Sequence, residues 1–532
     1  MPASRKKRRS ATVLTALTAP TLLLSAMVAV APTASAAPTG NVPSGRAVVA
    51  LTGVSAVSVP GVTVDAVLSS IHSELVHGSA AALRRLAAAP GVLGVAADKK
   101  IRPTGYGLNQ NGGSAFAWQG LGDEAGRPGA GAGVHVALID TGVTDSAYLN
   151  RASGHLVDAV DTSGWVDGGD ITTSGVFDDG YGHGTFMASL IAGGGSVKGG
   201  RTVGVASGAV IDVVKVAGAD GTSSFGAMMA GLNWVATNAA TEAVANLSFG
   251  LSADEVGGYG QDPLNLATET LRYLGTNVVV SAGNTAGEVT DPGFDPRVIT
   301  VGAADTLGWW PKLAPFSGSG VIAGVTKPDL IAPGVGILGV LPPGSAIVAA
   351  NPAALQSNGF YRGSGTSEAT AIVSGLAALV VADNPGVSTA DVKTALRVAA
   401  DPIYAHGAGA GLANVVHRLA RSRDDWRMGD GGALGEGTFV SSSWMLNGWG
   451  GTVWDSNKWG SNKWGSNKWA TQAFAGLAFD SNKWASNKWA SNKWATNKWA
   501  SNKWASNKWA TNKWAATTWG SESWGDDGGD GA

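Results

Sequence analysis

The chain has 532 residues, with 37 Lys and Arg against 39 Asp and Glu, 78 glycines, 21 tryptophans and no cysteine. This length allows roughly two to four structural units, and the slightly acidic balance does not point to nucleic acid as a partner. Without cysteine no disulfide contributes to stability, and with fifteen of the tryptophans beyond residue 440 the chain is not one homogeneous domain.

Residues 1–36 open with Arg5, Lys6, Lys7, Arg8 and Arg9, continue through an apolar run from Thr12 to Ala31, and close on Ala34-Ser35-Ala36. A basic start, a short apolar core and a small-residue triplet are the pattern of a secretory signal, and the product is expected to be secreted. Core burial or bound ions must then stabilise it. No later stretch of 18 apolar residues offers a membrane span. Residues 37–105 read as a small α+β unit: strand-like Arg46–Leu51, helix-like Val64–Val76 and Ala80–Ala89, then strand-like Val92–Ile101. Two uses suit it, a removable pro-segment or a plain N-terminal extension. Tyr106–Gly133, rich in Gly, Asn and Ala, reads as a linker or the start of the mature protein.

From Gly133 short apolar runs alternate with longer Ala-rich segments, the pattern of a mainly parallel sheet covered by helices on both faces. The expected strands are Val134–Ile139, Val210–Val216, Ala243–Phe249, Asn277–Ala282 and Val298–Ala303. Sites in such sheets collect beyond the carboxyl ends of the strands, and there the first strand runs into Asp140 and the fourth into Asn284. His183, flanked by glycines, precedes the helical run that starts at Phe186. Gly363–Gly375 crowds small residues around Ser367 ahead of an apolar helix from Ala369 to Val381, stopped at Asn384-Pro385. Ser367 therefore sits at a helix N-terminus, where N–H groups and the dipole favour an anion formed beside its hydroxyl. Asp140-Thr141-Gly142 is also the triplet of aspartic proteases, but those need two carboxylates sharing a proton, and no second such triplet occurs.

The segments ALIDTGV (137–143), GHGT (182–185), NLSFG (246–250), SAGN (281–284) and GTSEAT (365–370) occur in the order and spacing that resembles the subtilisin-like serine proteases. Further matches are Gly204–Val216, Lys327–Leu338 and a closing segment from His406, so the likeness covers about residues 130–420. The resemblance implies a three-layer α/β domain, bounded here as 106–422, behind a pro-segment at 37–105 that acts as a transient inhibitor. It implies a serine endopeptidase acting on protein or peptide substrates. Ser367 is the nucleophile, His183 the base, Asp140 the group that orients the imidazole, and the Asn284 amide with the Ser367 N–H holds the oxyanion. Gly221, Thr222 and Ser223 then border the extended substrate. Ser248, Phe249, Gly250, Ser281, Ala282 and Gly283 line the pocket for the residue before the cut, with the two glycines leaving room for a large apolar side chain. No cofactor is required for the chemistry. Structural calcium is common in the family, but no acidic cluster in the sequence can be assigned to it.

The chain departs from the family pattern at Glu368, where relatives carry methionine, at Ala371 and at Ser207, where they carry proline. A carboxylate beside the nucleophile that faces the site disfavours the oxyanion and raises the histidine pKa. A second reading follows: a weak or inert protease-like scaffold whose tail is a surface-binding module.

A Gly-rich linker at 423–443 leads into the tail at 444–532, built on Ser-Asn-Lys-Trp-Ala, with an aromatic residue at every fifth position from Trp444 to Trp524 and Phe474 and Phe479 holding the phase. A period of five spreads the tryptophans around an α-helix and alternates them across a strand. A solenoid and a disordered tail both remain open. Its ten Lys against six acidic residues, with the Trp faces, suit cell-wall glycan or another anionic polymer. Retention at the cell envelope is expected; single-stranded nucleic acid, which also fits Trp with Lys, is disfavoured by export.

Overall fold

The computed structural model describes residues 45–414 apart from 54–56, 104, 109–112, 168–174, 252–261, 323–324 and 404. The expected signal at 1–36, the expected linker at 423–443 and the expected tail at 444–532 lie outside the described residues.

Strands β1 (Gly45–Leu51), β2 (Val62–Leu68), β3 (Ser73–Gly78) and β4 (Val92–Ala97) form an antiparallel sheet in the order β2-β3-β1-β4, with α1 (Ala80–Ala87) across one face. Strand alternation turns Ala47, Val49 and Leu51 toward Leu83 and Leu86 of α1 and leaves Val48 for the opposite face. The helix expected over Val64–Val76 is not formed. Val64, Leu68, Ile71 and Leu75 have helical spacing, but the β-branched Val62, Val64 and Val67 favour a strand. The chain turns at His72, whose φ is 50°, and Ser73–Gly78 pairs with Gly45–Ala50 of β1.

Two short strands follow, β5 (Lys100–Ile101) and β6 (Gly105–Leu108), so the expected linker at Tyr106–Gly133 begins inside an ordered strand. The main domain then unfolds in chain order as β7 (His135–Asp140), β8 (Leu156–Asp161), α2 (His183–Ala192), β9 (Val210–Lys215), β10 (Ser223–Ser224), α3 (Phe225–Thr237), β11 (Glu242–Leu247), α4 (Pro263–Leu274) and β12 (Asn277–Ser281). It continues with β13 (Ile299–Asp305), β14 (Lys312–Leu313), β15 (Leu330–Pro333), β16 (Tyr361–Gly365), α5 (Thr366–Asp383) and α6 (Thr389–Ala399). The central sheet has the order β14-β13-β12-β11-β7-β9-β8, with β15 also on β13. Every pairing is parallel except that of β14.

Its strands are apolar on both faces because helices cover both. On one face Val136, Leu138, Ile211, Val213 and Val279 meet Met187 and Leu190 of α2, Ile372 and Leu376 of α5, and Leu396 of α6. On the other Ala137, Ile139, Val214, Leu247 and Val280 meet Phe225, Met228 and Leu232 of α3 and Leu264 and Leu271 of α4. The outer faces of α3 and α4 are closed by the N-terminal sheet, whose Val48, Leu68, Ile71 and Leu75 join this second core. Four such side chains contribute roughly 1.5–3 kcal/mol each. Asp98, beyond β4, accepts from Gly226 N at 2.7 Å, placing a carboxylate at the positive end of α3.

Where β13, β15 and α6 meet, Asp329 is buried between two lysines. Lys327 Nζ reaches it at 2.9 Å and also donates to Thr300 Oγ1 at 2.8 Å. Lys393 Nζ donates to Asp329 at 2.9 Å and to the carbonyls of Pro296 and Val298, each at 2.7 Å. Burial works to raise the Asp329 pKa, but the two ammonium groups, with Arg397 farther out, hold it well below the usual carboxylate range.

Candidate active site

Asp140 ends β7, His183 begins α2 and Ser367 is the second residue of α5. The parallel sheet delivers the first by ending its strand there, and α2 and α5 pack against each other beside it, so three residues distant in sequence share one end of the fold. His183 Nδ1 lies 2.8 Å from Asp140 Oδ1 and 3.0 Å from Oδ2. Both side chains are buried, and the carboxylate contact fixes the proton on Nδ1. That leaves Nε2 as the basic nitrogen; it is buried and has no hydrogen-bond partner among the described residues. Burial opposes charging the ring, but Asp140 outweighs it, helped by Glu368 and Asp179, and the His183 pKa is raised above its ordinary value.

Asn284 follows β12. Its Oδ1 accepts from Thr366 N at 2.9 Å and Thr366 Oγ1 at 3.0 Å. Two donors on one end of the amide identify that end as oxygen, so Nδ2 is the other end; it is buried without a partner among the described residues. No side chain caps α5 at Gly365, whereas Ser79, Ser224, Asp262 and Ser388 cap other helices. The N–H of Ser367 belongs to the first turn of α5, where backbone donors lack intrahelical acceptors. A donor amide and a helix N-terminus flanking a hydroxyl can stabilise an oxyanion.

Asp179 is a residue that the sequence reading passes over. It accepts from Thr141 Oγ1 at 2.7 Å, Gly182 N at 2.7 Å, Thr185 N at 2.8 Å and Thr185 Oγ1 at 2.7 Å. One carboxylate thus ties the turn after Asp140 to the start of the His183 helix. An acidic residue four positions before the histidine was the available signal. Glu368 points inward rather than to solvent. It is buried, its Oε2 has no partner among the described residues, and a Cβ on Gly363 would come within 2.5 Å of its Oε1. Burial pushes its pKa up to about 7, against the opposing pull of His183.

The residues expected to border a substrate are brought together in part. Ser223 pairs with Ile101, and Ser224 with Lys100, in an antiparallel ladder. Thr222 accepts from Arg102 Nη2 at 3.0 Å, while Gly221, at φ 75°, shapes the turn before the strand. Phe249, between Ser248 and Gly250, stands opposite Pro103. On the far side of Ser367, Gly105, Gly107 and Leu108 pair antiparallel with Gly365, Ser364 and Gly363. The chain's own segments 100–103 and 105–108 therefore lie along two edges, the second paired with the strand that leads into α5.

The pocket expected to be open is narrowed. Thr290 stands between Gly250 and Gly283: a Cβ on Gly250 would meet Thr290 Cβ at 2.6 Å, and one on Gly283 would meet its Cγ2 at 2.7 Å. The space that the two glycines free is taken by this side chain instead of being left for a large apolar group. Ser281 and Ala282 are buried beside it, and Thr290 N donates to Ala282 O at 3.1 Å. Nothing in the local sequence signals this, because the loop from Asn284 to Thr290 brings the residue back.

A model of the Subtilase family matches residues 131–425. Serine protease AprX of Bacillus subtilis is 31% identical over 51% of this chain and 62% of its own length. A cuticle-degrading serine protease of Arthrobotrys oligospora is 35% identical over 39% of this chain and 45% of its own. The chain thus spans about half the length of these relatives. Subtilisin Savinase of Lederbergia lenta is 33% identical over 53% of this chain and 90% of its own length. Among solved structures, fervidolysin from Fervidobacterium pennivorans, a keratinolytic enzyme related to subtilisin, matches with a TM-score of 0.51 at 22% identity, over 73% of this chain and 64% of that one. That likeness is one of fold.

Proposed function

The chain belongs to the subtilase family, and on that premise we propose that it is a secreted serine endopeptidase whose first substrate is its own N-terminal segment. The observation that carries this reading is the path of residues 100–108 along both edges beside Ser367. A peptide held extended on either side of a nucleophile is held as a substrate.

Ser367 attacks the carbonyl, giving its proton to His183 Nε2 while Asp140 stabilises the resulting imidazolium. The developing oxyanion is held by Asn284 Nδ2 and the Ser367 N–H. The imidazolium then protonates the leaving amine, and water hydrolyses the acyl-enzyme by the same groups in reverse. With Pro103 opposite Phe249 and Gly105 opposite Gly365, the carbonyl attacked during maturation is that of Thr104, and Gly105 becomes the new N-terminus. The released segment, its sheet β1–β4 seated on α3 and α4, would stay as an inhibitor until degraded. The Trp and Lys tail would hold the exported enzyme at the envelope.

Labelling with a fluorophosphonate, with mass analysis of the products, tests the reading. Wild type is expected to label at Ser367 and to release a chain beginning at Gly105; Ser367→Ala is expected to remain unlabelled and uncut. A wild-type chain that neither labels nor matures refutes the activity. Labelling with a cut elsewhere refutes only the assignment of the bond.

A further inference from the structure

At the opposite end of the strands that carry the site, three side chains converge that the hydrolytic chemistry does not use. His135 begins β7, Asp212 lies in β9 and Glu242 begins β11, and β7 runs between the other two strands. Glu242 stands opposite His135, and Asp212 opposite Ala137, two residues further along. With a strand period of two, all three belong to one face. His135 Nδ1 is 2.7 Å from Asp212 Oδ2, and one candidate ligand atom from each of the three residues lies within 4.8 Å of the others.

Glu242 is only 1% exposed, yet its Oε2 has no hydrogen-bond partner among the described residues. A buried carboxyl oxygen left unsatisfied is costly, and here it is set among an imidazole and a second carboxylate. The His135 side chain remains 30% exposed, which gives an ion a way in and leaves positions for water.

We infer that His135, Asp212 and Glu242 form a binding site for a divalent transition cation such as zinc, joining three adjacent strands of the central sheet. One imidazole nitrogen and two carboxylate oxygens suit zinc, whereas calcium and magnesium favour all-oxygen sets. Ligand atoms around zinc at about 2.0–2.2 Å stand roughly 3.3–3.6 Å apart. The His135–Asp212 contact, at 2.7 Å, therefore opens as the ion replaces the proton between them.

The test uses the full-length chain carrying Ser367→Ala, so that it does not digest itself, after chelator treatment. Calorimetric titration with zinc is expected to show one site that Glu242→Gln and His135→Ala each weaken at least tenfold. Cobalt is expected to give visible absorption bands that both substitutions abolish. Glu242→Gln removes a buried acid and is expected to melt without metal no lower than its parent, which separates lost binding from misfolding. Zinc affinity unchanged by both substitutions, no zinc binding by the parent, or calcium binding more tightly than zinc at these residues each overturns the inference.

Discussion

Thr290→Gly is expected to change which side chain the enzyme accepts before the cut. Thr290 places Cβ, Oγ1 and Cγ2 where a Cβ on Gly250 or Gly283 would otherwise reach, so the substitution removes three heavy atoms from the pocket. At about 0.8 kcal/mol for each buried methylene-sized group, the released space is worth about 2 kcal/mol to a large apolar side chain, or roughly 30-fold. The assay is kcat/KM on a series of peptide anilides that differ only in that residue, from Ala and Thr to Leu and Phe. The Phe-to-Ala ratio is expected to rise by about that factor in Thr290→Gly, by less in Thr290→Ser, and not at all in Thr290→Val, which keeps the shape. An unchanged ratio in Thr290→Gly would show that this threonine does not bound the pocket.

Two further substitutions probe the neighbours of the histidine. Glu368→Gln keeps the shape over Gly363 but removes a charge that favours the imidazolium; because His183 must be neutral to accept the serine proton, the acid limb of kcat/KM is expected to move to lower pH. A pH profile identical to wild type would show that the carboxyl does not couple to His183. Asp179→Ala strands four buried donors and is expected to cost on the order of 3–5 kcal/mol in denaturant titration, together with a loss of kcat. Full activity in that variant would mean that the Asp140 turn and α2 hold their geometry unaided.

Much of the main domain was legible because strands buried on both faces leave unbroken apolar runs, and because Asp140 and Asn284 end two of them. The N-terminal unit was read less well. Val64, Leu68, Ile71 and Leu75 fit a helical stripe, and only the pairing of Ser73–Gly78 with Gly45–Leu51 decides for strands. Leu156–Asp161 and Leu330–Pro333 went unread: Asp158 interrupts the apolar run of the first, the second is only four residues long, and each is placed by its neighbour in the sheet. Of the site, the residues with a glycine-rich or strand-end signature could be found. Thr290, which approaches Gly250 from 40 positions away, and the passage of residues 100–108 along both edges depend on tertiary pairing that no local pattern encodes.

The ammonium of Lys393 stands among two backbone carbonyls and a carboxylate, and it belongs to the helix that arrives late in the chain. A counter-charge tethered in this way has a high effective concentration at its nest whatever the ionic content of the medium. Dilution and chelators have no purchase on it. Until α6 has docked, however, Asp329 and the two carbonyls lack one of their donors. A nascent chain that has not yet delivered residue 393 therefore holds an unfinished corner, which α6 and the residues after it, Ala410 on Asp329 and Ala413 on Ile331, complete when they dock.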